Sequence, residues 1–170
     1  ARRAADTAVD LVDRVLPEAR YRQWVLTFPW AMRYLLATDR AFQGLVLRTF
    51  LRTVAAWMRL RARRLGLHDG QVGAVTFVQR FGGILNLNPH FHTLMPDGVF
   101  MEDADAPGGP LAFVTLPPPS DADIAALGMR LATRIGDLAR QRFRQTQDDP
   151  PWQDPDDLPL RITVAEAVRP

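Results

Sequence analysis

The order of segments along this 170-residue chain predicts an α+β fold, with a mostly antiparallel sheet of about four to five strands flanked by helices. Short runs of β-forming residues are bounded by Gly, Pro and Asp. Four of these runs follow one another between residues 71 and 116 with no helical stretch between them. Two long stretches, near 39–64 and 120–144, repeat apolar residues at helical spacing.

Residues 3–16 predict a first helix, since Ala5, Ala8, Val9, Val12 and Leu16 recur at spacings of three and four, and Pro17 ends it. RQWVLTF (22–28) alternates and is rich in β-formers, which predicts a strand. A short helix follows over 30–37. Thr38 or Asp39 then caps a long helix that runs to about Arg64 and stops at Gly66. Its predicted apolar face holds Leu47, Phe50, Leu51, Val54, Met58 and Leu65.

QVGAVTFVQRFG (71–82) predicts a strand with Val75, Phe77 and Gln79 on one face and Thr76, Val78 and Arg80 on the other. HFHTLM (90–95) and GVFM (98–101) are two more strands, joined by a Pro-Asp-Gly turn. LAFVTL (111–116) is the next, stopped by three prolines. Ser120 or Asp121 caps a helix through Arg144. Beyond it, QTQDDPPWQDPDDLP carries five aspartates and four prolines, so no element is expected. Residues 1–145 therefore make one domain, and 146–170 an acidic, proline-rich, disordered tail. Trp24, Trp30 and Trp57 are expected in the core, Tyr34 packed on its helix, and Tyr21 at a strand edge.

Composition narrows the function classes. Hydrophobic residues are 47% of the chain, which suits a globular core, and no run is long enough to span a membrane. With no cysteine, disulfides, thiolate zinc sites and cysteine nucleophiles are excluded within the chain. All 21 basic residues are arginine, yet the formal net charge is only +2, so any anion-binding surface must arise by clustering. One cluster stands out. Arg48, Arg52, Arg59 and Arg63 fall within a sector of roughly 60° on the long helix, and no acidic residue occurs between Arg40 and His68. Such a stripe is either the solvated face of an arginine-rich protein or a surface for an anionic partner.

His90-Phe91-His92 is the densest chemistry in the sequence. Residues i and i+2 of a strand share a face, so the two imidazoles project side by side while Phe91 points into a core. Two exposed histidines on an edge strand satisfy the same pattern. As a metal site, two imidazoles plus one oxygen donor leave open positions on a divalent ion for water or a phosphate oxygen.

The block VTFVQRFGGILNLNPHFHTLMPDGVF resembles the His-hydrophobic-His region of the HUH-superfamily transposases, and more narrowly the rolling-circle transposases of the insertion-sequence-91 type. RQWVLTFPWAMRYLLA and RARRLGLHDGQVGAVTFVQRFG are similar to other parts of the same proteins, so the resemblance covers about residues 5–115. It implies a fold like that of rolling-circle replication initiators. It implies that His90 and His92 hold Mg²⁺ or Mn²⁺, with Gln79 as third ligand, or else Asn86 or Asp97. It also implies single-stranded DNA at insertion-sequence ends as the partner, in the bacterial cytoplasm with the nucleoid and away from membranes. Arg48, Arg52, Arg59, Arg63 and Arg80 are the candidate DNA contacts. In that family one or two tyrosines attack a phosphodiester and form a 5′-phosphotyrosine link.

This chain departs from the pattern in two places. It has no cysteines for the family's N-terminal zinc-binding domain, and its two tyrosines, Tyr21 and Tyr34, lie upstream of the histidines and match no nucleophile motif. No catalytic residue is assigned, and the chain is expected to be a fragment or decayed copy that binds metal and DNA without cleaving. Two other readings compete. One is an arginine-rich DNA-binding module with incidental histidines. The other, less favoured, is a cupin-like metal barrel, which expects a glutamate a few residues after the pair and many more strands, whereas Glu102 comes ten residues after His92 and half of the chain reads as helix.

Overall fold

Trp24, Leu26 and Phe28 alternate with half-buried residues, and this period of two orients the central strand of the protein. A computed structural model describes residues 14, 16–83, 86–102, 108–146 and 160–167. The helix expected over 3–16 lies almost wholly outside them. In order come β1 (Tyr21–Thr27), α1 (Trp30–Thr38), α2 (Arg40–Arg64), β2 (Val75–Phe81), β3 (Leu87–Pro96), β4 (Gly98–Met101), β5 (Ala112–Thr115), α3 (Asp121–Thr146) and β6 (Arg161–Ala167). The fold is α+β. A four-stranded sheet runs β2-β3-β1-β6 with every neighbour antiparallel, and β4 and β5 form a separate antiparallel pair. An open sheet with three described helices on one face is not a cupin barrel.

One face of the sheet is the core. Trp24, Leu26, Phe91 and Met95 project from β1 and β3 into a cluster with Met32 and Leu36 of α1, Phe42, Val46, Phe50, Val54 and Met58 of α2, and Leu127, Leu131 and Ile135 of α3. All three described helices therefore pack on the same side of the sheet. Each large side chain fully buried there contributes about 1.5–3 kcal/mol of transfer free energy. Edge-on rings add specificity, with Trp24 against Trp57 at 5.9 Å and Phe28 against Phe91 at 5.2 Å between centroids.

The helix ends follow the local chemistry. Asp39 accepts a hydrogen bond from the Phe42 amide at 2.9 Å and so caps α2. It also takes Arg142 Nε at 2.7 Å, which ties the start of α2 to the far end of α3. The Phe42 amide above all, and then Arg142, hold the Asp39 carboxyl below its ordinary pKa. Gly66, at φ +81°, closes the other end of α2, where only glycine turns without steric cost. Ser120 and Asp123 cap α3 reciprocally: Ser120 Oγ accepts from the Asp123 amide, and Asp123 accepts from the Ser120 amide at 2.9 Å.

Several expectations are corrected. Leu65 is 56% exposed because α2 has already ended, and the buried face of that helix is filled instead by Phe42, Val46 and Ala62. Trp30 and Tyr34 are 44% and 69% exposed on α1, whose buried side is taken by Met32 and Leu36. Tyr21 is buried, not at a free edge, since β1 is bordered by β3 and β6. Residues 161–167, within the stretch expected to be a disordered tail, form β6 along the whole of β1. Ile162 and Val164 pack on the core, and that apolar alternation outweighs the acidic, proline-rich sequence before it.

Pro96-Asp97-Gly98 is a sheet switch, not a hairpin. β3 ends in one sheet and β4 begins in the other. Asp97 fixes the switch. Its carboxylate accepts from Arg22 Nε at 3.0 Å and from a terminal nitrogen of Arg22 at 2.7 Å, with both side chains about 10% exposed. Its amide donates to Arg20 O, and its carbonyl accepts from the Leu116 amide. At Gly98 a Cβ would collide with the carbonyl oxygen of Val114, so β4 and β5 pair closely only with glycine there. Asp97→Ala leaves the buried Arg22 guanidinium unpaired. A loss of about 3–5 kcal/mol is expected in urea unfolding, with Arg22→Met/Asp97→Leu losing less than the single change.

Candidate metal and nucleic-acid site

The face of the sheet opposite the core carries the histidines. In β3, Pro89, Phe91, Thr93 and Met95 are buried, while His90, His92 and Leu94 lie half-buried on the other side. Phe91 is wholly buried against Phe28, so the pair cannot rotate away without unseating the core. The two imidazoles stand 4.9 Å apart between centroids.

Register builds the surroundings. Directly opposed residues of antiparallel strands share a face with Cβ atoms about 5 Å apart. Gln79 of β2 and Thr27 of β1 both oppose His90, and Thr27 in turn opposes Arg161 of β6. One row thus crosses the sheet as Gln79, His90, Thr27, Arg161. In the next row, Phe77, His92, Val25 and Thr163 align. Phe77 is 41% exposed beside His92.

Hydrogen bonds set the tautomers. His90 Nδ1 lies 2.6 Å from the carbonyl oxygen of Asn88, so Nδ1 carries the proton and Nε2 keeps a free lone pair. His92 Nδ1 lies 2.8 Å from the Gln23 amide nitrogen. In that orientation Gln23 donates and the proton of His92 sits on Nε2. Turning the amide over places its oxygen against Nδ1–H and frees Nε2 for a cation. The orientation of the Gln23 amide and the tautomer of His92 are therefore coupled. Burial, and second the neighbouring His90, push the His92 pKa down, which keeps the ring neutral and ligand-competent near neutral pH.

The donor set is limited. Among the described residues no three His, Cys, Asp or Glu side chains come together, and the polar side chains in register with His90 are the amide of Gln79 and the hydroxyl of Thr27. Gln79 is in register for that role. Asp97 is committed to Arg22 at the far end of β3. Asn86 lies at the β2–β3 turn against Gly82, four residues or roughly 13 Å of strand from His90. Glu102 lies beyond β4 and accepts from the Gly108 amide.

The candidate arginines do not form one surface. Arg48, Arg52, Arg59 and Arg63 lie on α2, on the core side of the sheet, and Arg80 is exposed on edge strand β2 beside a register shift between Gln79 and Phe81. Neither tyrosine is near the pair. Tyr21 is buried four residues from the His92 row, with its hydroxyl donating to Pro17 O at 2.7 Å, and Tyr34 lies on α1 in the helix layer. Thr27, Gln23 and Phe77 were accessible to strand alternation in the sequence, but their rank beside the histidines needed the register. Arg161 was hidden by the composition before it. In an NMR titration His92 is expected to protonate below the midpoint of a histidine in a free peptide, and His90→Ala is expected to raise that midpoint. The folded pKa is depressed, so its contribution to stability is lost as pH falls from the ordinary imidazole value through the folded one.

A family model described as "Putative transposase" matches residues 73–110, the span that holds Gln79, Arg80, His90 and His92. No curated protein and no solved structure matches the chain significantly. The region that carries the histidine pair is thus similar to a transposase family, whose proteins act on DNA.

Proposed function

We propose that the chain serves DNA transposition, and that the open face of its sheet binds a divalent cation, Mg²⁺ or Mn²⁺, together with a single DNA strand of an insertion-sequence end. The observation that carries this reading is the histidine pair itself: two imidazoles 4.9 Å apart, fixed by a buried Phe91 between them, on a sheet face that none of the described helices covers. His90 and His92 hold the cation and Gln79 is the third ligand. All three are uncharged, so the site keeps the full charge of the ion and favours an anionic ligand. A bound cation there supplies Lewis-acid polarisation of a phosphodiester oxygen.

The protein groups around the pair match a nucleotide strand. Arg161 lies two strands from His90, on the order of 10 Å away, within reach of a neighbouring phosphate. Phe77 offers an exposed ring beside His92 for a base. The nucleophile is a different matter. Tyr21 has its hydroxyl engaged in a buried setting, and Tyr34 stands on the helix layer, so these 170 residues alone bind without cleaving.

Calorimetry with Mn²⁺ tests the site. His90→Ala/His92→Ala is expected to abolish binding, and Gln79→Ala to weaken it about tenfold or more. Unchanged Mn²⁺ binding in the double variant removes the metal site and leaves the arginine-rich DNA-binding module as the reading. Incubation with single-stranded DNA and Mn²⁺ is expected to give no covalent protein–DNA adduct; an adduct on Tyr21 or Tyr34 overturns the assignment of the chain as non-cleaving.

A further inference from the structure

The arginine stripe of α2 faces away from the histidine site. The buried residues of α2, Phe42, Val46, Phe50, Val54 and Met58, meet the sheet face that bears Trp24 and Phe91. His90 and His92 project from the other face. Arg48, Arg52, Arg59 and Arg63 sit on the side of α2 roughly opposite its buried residues. The sheet and the helix layer therefore both lie between the stripe and the histidines, and a strand seated at the histidines does not run along the stripe.

The chemistry of the two surfaces also differs. None of the four arginines is in an ion pair with another described residue. Asp137, which shares a cleft with Arg52 between α2 and α3, is already paired with Arg140. The stripe runs along α2 for roughly 22 Å; its sector also contains Ala41 and Leu45, is flanked by Ala55 and Ala56, and holds no aromatic ring. Free single strands are gripped by stacking as well as charge, and the exposed rings lie off α2, with Phe77 and Phe81 on β2 and Trp30 and Tyr34 on α1. A row of guanidinium groups without rings fits a ligand that shows only phosphates, its bases stacked inside.

We infer that the outer face of α2 is a second nucleic-acid surface, one that holds duplex DNA through Arg48, Arg52, Arg59 and Arg63 while the sheet face holds a single strand. The duplex site stands on the helix alone; only its pairing with a single strand rests on the function proposed above. The protein then grips a junction between duplex and single-stranded DNA from two sides.

The test compares the full chain with a variant carrying Arg48→Gln, Arg52→Gln, Arg59→Gln and Arg63→Gln, and with a second variant carrying Lys at the same four positions. A duplex of arbitrary sequence and a single strand of equal length are titrated across a salt series, and Mn²⁺ binding and thermal unfolding are read in parallel. The Gln variant is expected to unfold as the parent does and to bind Mn²⁺ and the single strand as before. Its duplex affinity falls at least about tenfold, and its salt slope for duplex drops by about 3 to 4, near 0.9 for each phosphate that is no longer neutralised. The Lys variant retains most of the duplex affinity. Duplex binding unchanged in the Gln variant overturns the inference, as does an equal loss for single strand and duplex. Equal loss of duplex binding in the Gln and Lys variants also overturns it, because charge is then not the agent. Loss of Mn²⁺ binding in His90→Ala/His92→Ala bears only on the sheet face, so the two readings fail separately.

Discussion

The strict alternation of β3 is the constraint from which the rest follows. Phe91, Thr93 and Met95 are buried, and His90 and His92 must then stand on the opposite face. Slipping the strand by one residue would place two imidazoles in a core of leucine, phenylalanine and tryptophan. The penalty for burying those polar rings fixes the register against both β1 and β2. That register decides which residues of neighbouring strands reach the histidines. The same burial that stabilises the fold therefore positions the candidate site.

The division of labour between the two faces has a physical basis. One face is closed by the three described helices, whose apolar sides interlock with Trp24, Leu26 and Phe91. The other presents neutral donors in rows, with arginine at one margin and a phenylalanine ring beside the second histidine. Under the proposed function, the donor set, the positive margin and the exposed ring address a nucleotide in three different ways: by its phosphate oxygens, its charge and its base. The outer face of α2 offers only charge, and the exposed rings of the helix layer, Trp30 and Tyr34, lie on α1. Arg22 and Asp97, in contrast, use charge for architecture, since their buried bidentate pair holds the point where the chain passes from one sheet to the other.

Gln23 shows how a residue in contact with the pair bears on its chemistry. Its amide has two orientations, and each assigns a different nitrogen of His92 to the proton. His90 has no such freedom, because a backbone carbonyl can only accept. The two histidines look equivalent in sequence but are held differently: Nδ1 of His90 faces a backbone carbonyl, and Nδ1 of His92 faces a side-chain amide that can turn over.

The sequence by itself determined the local features. Alternation showed that His90 and His92 share a face with Phe91 behind them, helical spacing grouped the four arginines, Gly66 marked a helix end, and two N-caps were narrowed to Thr38 or Asp39 and Ser120 or Asp121, of which the structure uses Asp39 and Ser120. These are properties of neighbours along the chain, and periods of two and 3.6 suffice to read them. Only the tertiary structure decided what depends on contacts distant in sequence. It placed Gln79 and Thr27 on either side of His90, brought Arg161 into the same row through β6, committed Asp97 to Arg22, and put the arginine stripe behind the sheet, away from the histidines. Strand order and register come from how whole faces fit together, and no local period encodes which strand a face will meet.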